Sequence, residues 1–298
     1  MTASEAPAEA RYQLREGERG LVCHGDNLQV LQHLPDASVD LIYIDPPFNT
    51  GKRQTRISMR TERDPDGDRT GFQGQRYRTV KLGSGSFADA FDDFLAFIAP
   101  RVEQAHRLLK PTGAFYFHID YREVHYCKVL IDQVFGREQF VNEIIWAYDY
   151  GARPKRRWPA KHDNILLYAR DAKRMHFDNA EVERIPYMAP GLVGPDKAKR
   201  GKLPTDTWWH TIVSPTGKEK LGYPTQKPLG VLKRIVAASC PPGGTVLDFF
   251  AGSGTTGAAA LDLGRRFLLV DEHPDAIEVM QKRFREADHI RFESCPTD

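Results

Sequence analysis

The sequence has only four cysteines in 298 residues, Cys23, Cys127, Cys240 and Cys295, and none stands in a Cys-x-x-Cys pair. Their scatter argues against a zinc ribbon or a disulfide frame and suits a reducing compartment. No cysteine follows a proline, which argues against covalent attack on a pyrimidine ring. No apolar run approaches the ~20 residues that cross a bilayer, so no membrane contact is expected. The first residues, MTASEAPAEAR, lack the apolar stretch of a secretion signal, and residues 1–18 read as a disordered tail. Internal repeats are absent. So is a dominant charge: 42 Lys and Arg against 40 Asp and Glu leave a net +2, and only local clustering can bear on partners.

What is present is a strand–helix rhythm. Apolar runs at 21–24, 39–45, 113–120, 142–148, 163–169, 245–250 and 266–272 read as buried strands. Helical patterns follow or intervene at 91–109, 122–135, 229–239, 255–263 and 274–285. Alternation of this kind predicts a largely parallel sheet covered on both faces. Two stretches break it. Residues 49–87 are polar, rich in Gly and Arg and without periodicity, which predicts a long flexible basic loop. Residues 171–222, with scattered Pro, Gly, Lys and aromatics, read as an inserted module. The domain would then consist of 19–170 and 223–298 on either side of it.

Two motifs carry chemistry. DFFAGSGTTG (248–257) joins a strand to a helix, and Gly252, Gly254 and Gly257 spell GxGxxG. Small residues let the backbone approach a nucleotide at the positive end of the helix. Asp271 closes the next strand at the spacing of a ribose-gripping carboxylate, with Glu272 beside it as an alternative. This motif alone fits a nicotinamide or flavin oxidoreductase equally well. DPPF (45–48) separates the two readings. An aromatic exocyclic amine is a poor nucleophile because its lone pair is delocalised. Asp45 and the Pro46 carbonyl can each accept one of its N–H bonds and so direct the lone pair. Pro47 stiffens the turn, and Phe48 offers a face for an extruded base.

DPPF, then TQKP (225–228), then FFAGSGTT (249–256) resembles the β-class amino DNA methyltransferases, which modify adenine N6 or cytosine N4. HGDNLQVL (24–31), NEIIWAY (142–148), RRWPAKHDNILLYAR (156–170) and TDTWWHTIVSPTGKEKLGYPTQKP (205–228) extend the resemblance over nearly the whole chain from residue 19. DPPF precedes the Gly-rich loop by about 200 residues, the circularly permuted order of that class.

The resemblance implies an α/β Rossmann-like methyltransferase sheet with a target-recognition region near 171–222. It also implies S-adenosyl-L-methionine as cofactor and transfer to the exocyclic amino group of a flipped base, adenine N6 favoured over cytosine N4. A non-catalytic DNA-binding relative is the rival within this class. Asp45, Pro46, Pro47 and Phe48 become the catalytic set. Asp26, Lys227, Asp248, Phe250, Gly252, Ser253, Gly254, Thr255, Thr256 and Asp271 become the cofactor set; Asp26 also matches the family's acidic residue beside the target base. No metal is implied. Double-stranded DNA is the implied partner, contacted by Arg53, Arg56, Arg60, Arg156, Arg157, Lys199 and Arg200 from three basic clusters. The resemblance leaves open a homodimer and a cognate restriction endonuclease, and it places the protein in the cytoplasm, at a bacterial nucleoid. His118, His125 and His162 lack metal-ligand spacing and read as structural. Trp208, Trp209 and His210 fit a core and a DNA-facing surface equally.

Overall fold

The computed structural model describes residues 11–295 except 50–51, 64–65, 67–68, 71–75, 90, 92, 152–153 and 215–216. The strands are β1 (Gly20–His24), β2 (Val39–Ile44), β3 (Lys52–Arg63), β4 (Arg69–Thr70), β5 (Arg76–Asp89), β6 (Leu109–Ile119), β7 (Phe140–Ala147), β8 (His162–Ala169), β9 (Thr207–Trp209), β10 (Thr245–Asp248), β11 (Arg266–Asp271) and β12 (Ile290–Ser294). The helices are α1 (Asn27–Gln32), α2 (Phe94–Leu108), α3 (Val124–Phe135), α4 (Pro195–Arg200), α5 (Leu229–Ser239), α6 (Thr255–Asp262) and α7 (Pro274–Phe284). Nine strands form one sheet in the order β12-β1-β11-β10-β2-β6-β8-β7-β9. It is parallel from β12 through β6, and β8 runs antiparallel to both of its neighbours.

Burial explains the run-like strands. Every residue of β2 is buried, because helices cover both faces. On one face α1, α2 and α3 supply Val30, Leu31, Ile98, Val102, Cys127 and Ile131. On the other α5, α6 and α7 supply Leu232, Ile235, Ala259, Val279 and Met280. The direction of strand progression reverses where β2 lies against β10. A crevice opens there beyond the strands' carboxyl ends, the usual ligand position in such sheets. The permuted chain meets itself at this seam: Leu41 and Ile42 pair with Val246 and Leu247, so the DPPF turn and the Gly-rich loop leave adjacent strands side by side.

Three expectations need correction. Residues 49–87 contain strands: β3 and β5 form an antiparallel ribbon, extended by β4. Alternating Arg and Thr gave no apolar period to reveal it, because the ribbon is separate from the main sheet. Residues 11–18 are also not a loose tail. Tyr12 is buried, and Arg291 binds the Arg11 and Gln13 carbonyls and Glu18; residues 1–10 lie outside the described residues. β12 adds a further, partly exposed edge strand beside β1. The segment 171–222 holds little regular structure, but it is not a free-standing module. Its β9 pairs with β7, Asp178 N donates to the Ala238 carbonyl, and Trp208 joins the core.

Candidate active site

At the end of β2, Asp45 lies in a cavity of about 390 Å³ that also takes in Pro46, Pro47 and Phe48. One carboxylate oxygen, Oδ2, is ion-paired with Lys227 Nζ; the two side chains are 14% and 13% exposed. The other, Oδ1, is buried without a hydrogen-bond partner among the described residues and lies 3.7 Å from His118 Nδ1. An anionic oxygen withdrawn from water without a donor is costly. It therefore suits an N–H that arrives with a substrate. Phe48 lies beside it, its ring 5.7 Å from the His118 ring, with Lys227 Nζ 5.2 Å from the Phe48 centroid.

The same cavity continues over the Gly-rich loop. Gly252 takes φ +50° and turns its N–H onto Asp271 Oδ2 at 2.7 Å, while His273 N donates to Asp271 Oδ1 at 2.9 Å. Removal from water pushes the Asp271 carboxyl above its ordinary value, although both backbone bonds oppose the shift. Each oxygen keeps a second lone pair, enough to accept from vicinal ribose hydroxyls. Asp248 at the end of β10 accepts from Thr256 Oγ1 at 2.6 Å and Phe250 N at 3.0 Å. Its burial drives the pKa up to about 7, with the Asp45 and Asp271 charges adding to the rise. Ser253 and Thr255 line the cavity, and Arg283 braces the loop from behind by donating to the Ser253 carbonyl at 2.6 Å.

The cofactor set expected from sequence divides in the structure. Lys227, Asp248, Phe250, Gly252, Ser253, Thr255, Thr256 and Asp271 all border the cavity. Gly254 serves packing instead: it has φ +71°, and a Cβ there would stand 2.8 Å from Met280 Cγ. Asp26 is absent from the lining. Its carboxylate caps α1 through Gln29 N at 2.9 Å and pairs with Arg101 at 3.4 Å. Lys227 faces Asp45, so its place is at the junction of the two half-sites and not only at the cofactor end.

Of the expected DNA contacts, Arg156 and Arg157 are exposed in the loop between β7 and β8, around a Trp158 that is 94% exposed. That loop leaves the sheet beside the cavity, because Trp146 packs on His118 and Tyr148 binds Asp163. Lys199 and Arg200 are exposed on α4 and do not line the cavity. Arg53, Arg56 and Arg60 lie within β3, but their side chains lie outside the described residues. Trp208 is buried and Trp209 exposed, which divides the pair between core and surface. His210 packs against Gly230 at the start of α5.

Sequence reasoning missed Arg101, Asn27 and the surroundings of His118. Arg101 lines the cavity from α2, donating to Asn27 Oδ1 at 2.7 Å, and Asn27 in turn donates to the Phe249 carbonyl at 2.7 Å. Arg101 falls in the buried stripe Phe94–Ile98–Arg101–Val102–Ala105. A charged residue inside an apolar helical stripe was the available signal.

A cavity with a ribose-ready acid, a Gly-rich loop and apolar walls fits S-adenosylmethionine, and the adjoining DPPF turn fits an amine. The comparisons agree with that pairing. The family model described as "DNA methylase" matches residues 39–282. A DNA adenine methyltransferase, YhdJ, of Escherichia coli is 31% identical over 284 residues, covering 93% of this chain and 86% of its own length. Two solved structures share the fold. The PvuII cytosine-N4-specific DNA methyltransferase has TM-score 0.59 at 14% identity, over 92% of this chain and 95% of its own. The Thermus thermophilus methylase TTHA0409, complexed with S-adenosyl-L-methionine, has TM-score 0.58 at 19% identity, over 94% and 100%. This chain belongs to the N6/N4 DNA methylase family and is an S-adenosylmethionine-dependent amino-methyltransferase.

Proposed function

We propose that the chain methylates adenine N6 in double-stranded DNA after flipping the base into the cavity beside Phe48. The observation that carries this is the buried, unpartnered Oδ1 of Asp45. It accepts one N–H of the target amine, the Pro46 carbonyl accepts the other, and Lys227 balances the carboxylate charge from its far oxygen. Asp271 and the Gly252–Thr256 loop hold the nucleoside end of the cofactor, whose sulfonium offers an electrophilic methyl group. The protein's share is alignment and exclusion of water. An aspartate at position 45, where cytosine enzymes of this kind often carry serine, and the adenine specificity in the name of the E. coli relative both support adenine.

The exposed Arg156–Arg157–Trp158 loop and the segment 171–222 form the DNA-reading face in this proposal, with phosphate contacts positioning the duplex. Plasmid DNA treated with enzyme and cofactor, digested to nucleosides and analysed by mass spectrometry, is expected to yield N6-methyladenine. Detection of N4-methylcytosine alone would overturn the adenine assignment.

A further inference from the structure

Behind Asp45 stands a buried polar chain that no sequence motif points to. His118, on β6, has 0% exposure. Its Nδ1 lies 2.7 Å from Tyr43 Oη and 3.7 Å from Asp45 Oδ1; its Nε2 lies 3.2 Å from Asp163 Oδ2. Asp163, on β8, also accepts from Tyr148 Oη at 3.0 Å. Among the described residues, the groups that face the imidazole are Tyr43 and Asp45 from β2 and its end, Asp163 from β8, and the rings of Phe48 and Trp146. Tyr148 and Lys227 stand one contact further out, on Asp163 and Asp45.

These contacts favour one tautomer of the neutral ring. Burial raises the Asp163 carboxyl, but the hydrogen bonds from His118 and Tyr148 and the positive charge nearby outweigh it and hold the group below its ordinary value. It is an acceptor, so His118 carries its proton on Nε2. Burial and the nearby carboxylates push the Tyr43 phenol well above its ordinary range, so it keeps its proton and donates to Nδ1. The Nδ1 lone pair of His118 thus accepts from Tyr43, on the side of the ring that faces Asp45.

We propose that His118, oriented by Asp163, is a positioning residue that removes the reaction's proton from Asp45. When the exocyclic nitrogen bonds the methyl carbon, the C–S bond breaks with its electron pair going to sulfur, and the nitrogen becomes cationic. One amine proton passes to Asp45 Oδ1. As the Asp45 and His118 side chains close from 3.7 Å to hydrogen-bond distance, the Tyr43 hydroxyl rotates from donor to acceptor, the proton moves on to His118 Nδ1, and Asp45 returns to carboxylate. The imidazolium is held by Asp163 until the product departs. This relay rests on the reading of Asp45 as the amine's acceptor.

The experiment measures single-turnover transfer of tritiated methyl to unmodified plasmid DNA across pH, for wild type, H118Q, D163N, the double variant and D45N. Calorimetry with S-adenosylmethionine reports whether each variant retains its fold. H118Q and D163N are expected to lose about 100-fold in rate, in the range of general-base contributions. Their cofactor affinity should stay within about threefold, and the double variant should be no slower than H118Q. The shape of the wild-type pH–rate profile should change in H118Q. In unliganded wild type, a slowly exchanging downfield imidazole Nε2–H resonance should appear by proton NMR and be lost in D163N. If H118Q proves misfolded, the near-isosteric D163N carries the same test. Rates within tenfold of wild type, or an unchanged pH profile at lower rate, would overturn the relay. An active D45N would instead overturn the reading of Asp45 itself.

Discussion

Lys227 and Asp45, 182 residues apart in the chain, are joined by an ion pair at the point where the DPPF turn meets the cofactor loop. Both are largely withdrawn from water, so removing the lysine leaves a buried carboxylate unpaired. Breaking such a pair costs about 3–5 kcal/mol. The carboxylate would then lack the partner that holds it in place to accept from an amine. Lys227→Met is expected to cut the single-turnover rate by about 100-fold or more. Its cofactor dissociation constant, measured by calorimetry, should change by less than about threefold. A tenfold loss of cofactor affinity with an unaltered rate at saturation would instead return Lys227 to the methionine end of the cofactor.

Asp271 has two duties, and both are visible in its oxygens. It tethers Gly252 N and His273 N, shaping the loop, and it offers its remaining lone pairs to the cavity. Asp271→Ala should weaken S-adenosylmethionine binding by about 1.5–3 kcal/mol, the range for a charge-assisted hydrogen bond, roughly 10- to 150-fold. Glu272→Ala, which leaves the tethers intact, should change affinity by less than about threefold. Calorimetry showing the larger loss in Glu272→Ala would reverse the assignment.

Much of this site was legible because its chemistry is concentrated in contiguous words. DPPF and DFFAGSGTTG specify turn, charge and helix start within ten residues each, and the all-buried β2 and β10 betray their positions by apolar runs. The strands and helices of the main sheet followed from period for the same reason. What stayed hidden depends on tertiary pairing. The β3–β5 ribbon is separate from the main sheet, so its polar alternation looked like loop. His118 and Asp163 become partners only when β6 pairs with β8, and neither stands in a recognisable spacing. Gly254 and Asp26 matched their motifs, yet one is occupied in packing and the other in capping.

Asp248 predicts a distinctive pH dependence. An acid whose folded pKa is raised binds its proton more tightly in the native state. Between the ordinary value near 3.8 and the native value of about 7, the folded protein holds more protons than the unfolded chain. Its contribution to stability is full below that window, falls as pH rises through it and is flat above. The slope is at most about 1.4 kcal/mol per pH unit, on the order of 4 kcal/mol in all. Asp248→Asn stays neutral and should lack this slope, whatever constant offset follows from the acceptor it loses to Thr256 or Phe250. The stability difference between variant and wild type, from denaturant unfolding, should move in the variant's favour between about pH 4 and 8. A pH-independent difference would mean that Asp248 is ionised throughout.

The last prediction concerns the loop between β7 and β8. Trp158 is almost fully exposed, and Lys155, Arg156 and Arg157 beside it are exposed as well. An indole in water gains nothing for the fold, so its removal should leave stability unchanged within about 0.5 kcal/mol. The loop is anchored near the site through Tyr148 N on the Lys161 carbonyl and Lys161 Nζ on the Gly151 carbonyl. If the duplex lies over the cavity as proposed, the cations would meet phosphates and the indole a base face, an interaction worth ~1–3 kcal/mol. Trp158→Ala should therefore weaken DNA binding by about 5- to 150-fold without altering cofactor affinity. Arg156→Ala with Arg157→Ala should reduce the slope of log affinity against log salt by about 0.9 for each phosphate no longer neutralised. Fluorescence anisotropy with a labelled duplex across salt concentrations measures both effects. An unchanged slope together with unchanged affinity in Trp158→Ala would place the DNA on another face of the sheet's edge.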